Sequence, residues 1–258
     1  MDFPNYPEKY KNESLLQPGE MFAFRQKIGQ IKSIRPPEGL IVCLQRGLPE
    51  RMRWQIPIQL VGRMMADLYL VKKSRGRVAV LTTLGEGSPM ISSLTEELIA
   101  FGAKRVISIV WGGTLQPDVT TGDIVICDRA LRDEGTSHHY LPHEKFVSAS
   151  SDMVSKLKAA VEKRGRTCRV GATWTTDAPY RETREEVMQY QAEGVLTVEM
   201  EIASLYAVGR VRNIEVVSAV AVGDSLAKFH WQLPDNFQPI ERSLELLYSA
   251  AIEVLSDN

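Results

Sequence analysis

Residues 215–226 read EVVSAVAVGDSL: an almost unbroken apolar run, then Gly223-Asp224-Ser225. A short apolar run closed by a turn signal suits a strand covered on both faces, whereas a strand with one wet face would alternate. Similar runs precede it. GLIVCL (39–44), RVAVLTTL (77–84) and RVISIVW (105–111) are read as buried strands, with DIVICDRAL (123–131) and CRVGATWTT (168–176) as further strands. Helical patterns lie between them. The turn RGLPERMRW opens a helix, and residues 89–102 carry apolar positions at Ile91, Leu94, Leu98 and Ile99. SSDMVSKLKAAVEKRG (150–165) starts on Ser and stops on Gly, and RETREEVMQYQAEG ends at Gly194. Residues 197–213 begin extended and turn helical, and 239–256 form a last helix. Alternating strands and helices predict an α/β fold: a central, mainly parallel sheet with helices on both faces. Residues 1–38, with five prolines, are the least regular part and are expected to be an extension, with one domain over 39–258.

The chain has 258 residues, 31 Lys+Arg against 32 Asp+Glu, and a formal net charge of −1. Phosphate-driven nucleic-acid binders carry a basic excess, so that class is excluded as an expectation. The polar N-terminus lacks a signal-type apolar core, and no apolar run approaches the roughly 18 residues of a membrane span. A cytoplasmic protein without a membrane partner is expected. Cys43, Cys127 and Cys168 are odd in number and lack metal-type spacing, so they read as reduced, apolar-packed residues. His138, His139 and His143 in SHHYLPH lack an acidic or Cys ligand at metal spacing, and a surface or subunit-contact loop is expected there.

In open α/β sheets ligands bind beyond the carboxyl ends of the strands. Those ends fall at 45–51, 84–90, 111–118, 176–184, 198–201 and 222–232. In the first, a glycine turn at Gly47 opening a helix, with Arg51 one turn in, suits an oxyanion; a tight turn with a solvated arginine is the alternative. In Thr197-Val198-Glu199-Met200-Glu201, two carboxylates bracket a methionine at a strand end. A carboxylate accepts two hydroxyl hydrogen bonds at once, which suits a ribose diol, and a thioether suits a sugar or base face. Acidic residues at a helix start give the same pattern. Asp224, at the end of the most apolar strand, suits proton donation because burial raises a carboxyl pKa; a helix cap is the alternative. Tyr180, Trp111, Trp174 and Trp231 are either base-stacking partners or core residues.

Eight stretches in order resemble the nucleoside phosphorylase family that includes uridine phosphorylase and the hexameric purine nucleoside phosphorylases. They are GLPER (47–51), GEGSP (85–89), EELIAFGAKRVI (96–107), GGTLQPDVTTGDIVI (112–126), RDEGTSHHYLP (132–142), TTDAPYRET (175–183), VEMEIASLYAV (198–208) and VGDSL (222–226). The resemblance implies a three-layer αβα sandwich with a mixed, mostly parallel sheet. It implies an enzyme that attacks a nucleoside with orthophosphate, releasing ribose 1-phosphate and a free base. Orthophosphate is then a co-substrate, with no organic cofactor and no metal. By position, Gly47 and Arg51 would hold phosphate, Glu201 the ribose hydroxyls, Met200 the sugar face with Glu199 beside it, and Asp224 the leaving base. Gly112 and Gly113 would lie under the base, with Tyr180 beside it. Self-association into a dimer or hexamer is also implied.

The chain departs from the family pattern. Ser108 and Trp111 stand where the third strand usually carries a phosphate-binding Arg and Ser or Thr. Pro179 replaces a base-facing Phe, and Thr183 and Glu185 stand nearest the missing uracil-reading pair. Residues 1–38 hold no histidine, and Arg63 is the candidate for a phosphate arginine given to a neighbour. These changes favour a purine nucleoside over uridine. They leave two alternatives open: a nucleosidase using water, with Glu50 as its base, and a nucleoside-binding homologue without catalysis.

Overall fold

The computed structural model describes Pro4 and residues 6–82 and 85–257. Thr83 and Leu84, the end of the second apolar run, lie outside the described residues. In chain order the elements are α1 (Pro18–Lys27), β1 (Gly39–Cys43), α2 (Leu48–Arg51), β2 (Ile58–Arg63), β3 (Asp67–Val71), β4 (Val78–Thr82), α3 (Ser88–Phe101), β5 (Arg105–Thr114) and β6 (Ile124–Asp133). There follow β7 (Phe146–Ser148), α4 (Ser151–Glu162), β8 (Arg169–Thr176), α5 (Arg184–Ala192), β9 (Thr197–Glu199), α6 (Ile202–Arg212), β10 (Glu215–Ser225) and α7 (Gln238–Ser256).

The apolar runs are strands covered on both faces, as their patterning predicts. In β1, Leu40 and Val42 pack with α3 and α6 residues such as Leu94 and Tyr206, while Ile41 and Cys43 pack with α4 and α7 residues such as Leu157 and Leu247. The same alternation runs through β4, β5 and β10. Period-two side chains feeding two apolar layers are what an αβα sandwich requires.

The sheet is mixed. β4, β1, β5 and β10 run parallel side by side, as do β6, β8 and β9. Five further pairings are antiparallel: β2–β3, β3–β4, β5–β9, β6–β7 and β6–β10. Because β5 pairs with both β10 and β9, the strands β5, β10, β6, β8 and β9 close into a ring. β5 and β10 are long enough to serve both the open sheet and this ring.

Two regions are more ordered than the sequence pattern predicts. Residues 58–71 form the β2–β3 hairpin. Within the first 38 residues, α1 stacks Phe22 on Phe101 of α3 and pairs Arg25 with Glu97 at 2.6 Å. Phe22 is the one buried residue of α1, so the helix lacks the apolar stripe that would have announced it. Among the described residues no helix is long and apolar enough to cross a membrane. All three cysteines are free.

Candidate active site

A cavity of about 670 Å³ opens where the ring meets the open sheet. All six strand-end segments reach its wall, through Gln45, Glu86, Trp111, Glu182, Glu201 and Asp224 among others. β5 and β10 end here side by side, so Gly112, Gly113 and Asp224 arrive on adjacent strands. A side chain at Gly112 would come within 2.5 Å of the Val198 carbonyl of β9, and one at Gly113 within 3.3 Å of both Asp224 carboxylate oxygens. The Gly112-Gly113 pair therefore lets strand and carboxylate approach closely.

β9 is short, and α6 starts just beyond it, so Glu199, Met200 and Glu201 occupy the junction. Glu199 is buried and fully engaged. It accepts from Thr175 Oγ1 at 2.6 Å and from the backbone N–H groups of Glu201 at 2.6 Å and Ile202 at 2.7 Å. It thus satisfies the N-terminus of α6. Glu201 accepts one N–H on each oxygen, from Gly87 at 2.6 Å and Met200 at 3.3 Å. Each oxygen keeps acceptor capacity for a ligand hydroxyl. Burial raises the pKa of both carboxyls, and the charge of Glu201 raises that of Glu199 further.

Asp224 Oδ2 accepts from the indole N–H of Trp231 at 2.7 Å. Trp231 sits on a tight hairpin held by the Ser225–Gln232 bridge. Burial raises the Asp224 pKa, and the indole bond works against it.

Seven of the nine residues singled out in the sequence line this cavity: Asp224, Glu201, Glu199, Met200, Gly112, Gly113 and Tyr180. Gly47 and Arg51 lie outside its lining, although Leu44 and Gln45 belong to it. Gly47 takes the left-handed conformation that starts α2, as its turn predicts, and Arg51 is exposed. Glu50 also lies outside the lining; one of its oxygens accepts from the Tyr69 hydroxyl at 2.8 Å. Of the four aromatics considered, Trp111, Tyr180 and Trp231 reach the cavity, and Trp174 is a core residue whose indole donates to Asp133.

The two departures on the third predicted strand, Ser108 and Trp111, have distinct fates. Ser108 is fully buried in mid-strand and donates to Ser218 Oγ at 2.6 Å. Trp111 lines the cavity, and its indole lies where a side chain on Gly223 would be, 1.3 Å from the Cβ position. Sequence reasoning does not single out Glu182, Arg184 or Phe229, which also line the wall. Glu182 and Arg184 fall in a strand-end segment, and so does Phe229, but nothing local distinguishes these side chains from solvated loop or helix-start residues. The histidine loop lies away from the cavity: His138 and His143 stack at 5.5 Å, and no group of potential metal ligands occurs among the described residues.

A profile of the phosphorylase superfamily matches residues 57–252. The chain belongs to this superfamily. Among its relatives are the DeoD-type purine nucleoside phosphorylases of Bacillus cereus, Bacillus thuringiensis and Bacillus mycoides. Each is 34% identical over 152 residues, covering 58% of this chain and 64% of the relative. The phosphorylase-superfamily match takes in β2 through most of α7, and so every cavity segment except the one after β1.

Proposed function

We propose that the protein cleaves the N-glycosidic bond of a purine nucleoside, with orthophosphate as acceptor and ribose 1-phosphate and the free base as products. The observation that carries this reading is one cavity bounded by Asp224 on β10 and by Glu199-Met200-Glu201 at the β9–α6 junction. The activity for which the relatives are named agrees with it.

Glu201 would bind the ribose hydroxyls through its free acceptor capacity, with Glu199 locking the junction that aims it. Met200 would pack on the sugar. As the bond between the anomeric carbon and the base nitrogen lengthens, the sugar gains positive charge, which buried carboxylates stabilise. A phosphate oxygen forms the new bond to the anomeric carbon. The electron pair of the broken bond stays with the base, which takes a proton from Asp224. A raised pKa favours the protonated form of Asp224 that this step needs. The reading needs no metal or organic cofactor. Exposed Tyr180 and Trp231 beside the cavity support self-association across its mouth. The expected compartment is the cytoplasm.

A second reading, with water as acceptor, is favoured by the departures. Ser108 spends its hydroxyl on Ser218, and Trp111 stands at the other altered position. Losing an arginine from a dianion site removes charge-assisted bonds worth about 1.5–3 kcal/mol each. Base release from a nucleoside panel, with and without phosphate, tests both. Phosphate-dependent release supports phosphorolysis, and equal release without phosphate supports hydrolysis. Binding without release in either condition would overturn an enzymatic role.

A further inference from the structure

Glu182 lies on the cavity wall between the turn Pro179–Arg181 and the start of α5. Its neighbours on that wall are already engaged. The Thr183 hydroxyl is closed in a capping box with Glu186, at 2.7 Å. The Arg184 guanidinium lies over the Phe229 ring at 5.0 Å. Asp224 has given one oxygen to Trp231. Glu182 is partly buried, yet it makes no hydrogen bond or ion pair among the described residues. The charges that reach it, Asp224 and Glu186, are both negative, and with burial they push its pKa up to about 7.

A carboxyl group partly withdrawn from water beside two other carboxyls, with no donor from the protein, is left to solvent or to a ligand for its hydrogen bonds. On the wall of a ligand cavity, the partner can come with the ligand. Ionised, the group only accepts; protonated, it still presents an acceptor oxygen. Its complement is a hydrogen-bond donor on the ligand, an O–H of the sugar or an N–H of the base. Under the reading above, Glu201 meets the sugar hydroxyls and Asp224 protonates the leaving base, so the donors left for Glu182 are N–H groups on the base's six-membered ring or its exocyclic amine.

We propose that Glu182 is a specificity-determining residue that accepts a hydrogen bond from an N–H of the base, so that the protein selects nucleosides whose base carries such a donor. This rests on the nucleoside-cleaving reading above. It assigns no role to Glu182 in bond breaking.

The test compares inosine and adenosine, which carry N–H donors on the base, with purine riboside, which carries none. Base release gives kcat/KM for wild type, Glu182→Gln and Glu182→Ala. Calorimetric Kd values for the same three nucleosides are measured in parallel. Wild type is expected to favour the donor-bearing nucleosides by at least tenfold. Glu182→Ala should lower kcat/KM for them at least tenfold and much less for purine riboside, collapsing the preference. Glu182→Gln, which keeps an acceptor oxygen but no charge, should fall between. An unchanged preference in Glu182→Ala, or an equal loss on all three nucleosides, overturns the proposal. If wild type binds but cleaves none of them, the enzymatic reading fails and the Kd ratios still decide the role of Glu182. Absence of both binding and cleavage overturns both.

Discussion

The backbone N–H of Gly87 donates to Glu201 Oε1 at 2.6 Å, joining two sequence motifs 114 residues apart. Gly87 sits just before α3 with φ +98°. The N-terminus of that helix and the carboxylate proposed to hold the sugar therefore fix each other. Gly87→Ala places a side chain in a backbone region that L-residues rarely enter, at a cost of about 1–3 kcal/mol. The expected outcome is a lower Tm with a larger fractional fall in base release, because the released Glu201 carboxylate loses its aim. Thermal unfolding and kcat/KM on the same preparation check it.

Glu199→Gln tests the division of labour between the two glutamates. Glu199 accepts from the hydroxyls of Thr173 and Thr175 and from the backbone N–H groups of Glu201 and Ile202 at the start of α6. A glutamine amide cannot accept at all of these, and an unmet buried donor costs about 1–3 kcal/mol. We expect Glu199→Gln to lower Tm, whereas Glu201→Gln should lower kcat/KM with the smaller effect on Tm.

Asp224→Asn removes the proton donor. A general acid contributes about 100- to 10,000-fold, and kcat on an ordinary purine nucleoside should fall within that range. A nucleoside already quaternised on the base, such as 7-methylguanosine, leaves without that proton and should lose far less. Equal losses on both substrates would count against Asp224 as the acid.

Trp231→Phe removes the indole N–H from Asp224. That bond lowers the Asp224 pKa, so its loss raises the pKa. If the protonated form is active, activity falls as pH rises through this pKa. The alkaline limb of the kcat/KM profile should then move to higher pH. A limb that stays in place would separate Asp224 from that titration.

Glu182 makes a prediction for stability as well as for specificity. Its pKa is raised from 4.5 to about 7, so its contribution to stability is fully present below about 4.5 and is lost as pH rises through 7. Glu182→Gln removes that loss. After allowance for its partial exposure, the variant should gain about 1 kcal/mol at pH 8, or about 2–4 °C in Tm. Near pH 4 the two proteins should melt together. A Tm series across pH reads the difference.

Much of this is legible in the chain itself. Apolar runs such as 216–222, closed by turn signals, suit strands covered on both faces, and the intervening period-3.6 segments supply the covers. Strand ends then mark where ligands bind, which is why all six strand-end segments reach the cavity. Local patterning fails where burial is not local. α1 is held by Phe22 and Arg25 contacting α3, not by a stripe of its own.

The sequence by itself determined the α/β layering, the family and the residue types at the strand ends, because these follow from periodicity and short motifs. Only the tertiary structure decided which side chains meet. The closure of β5 onto both β9 and β10 brings Gly113, Glu199 and Asp224 to one cavity. The tertiary structure also places Gly47 and Arg51 outside the lining, pairs Ser108 with Ser218, and leaves Glu182 without a hydrogen-bond partner among the described residues. Such outcomes depend on distances between segments far apart in the chain, and one-dimensional patterning carries no information about them.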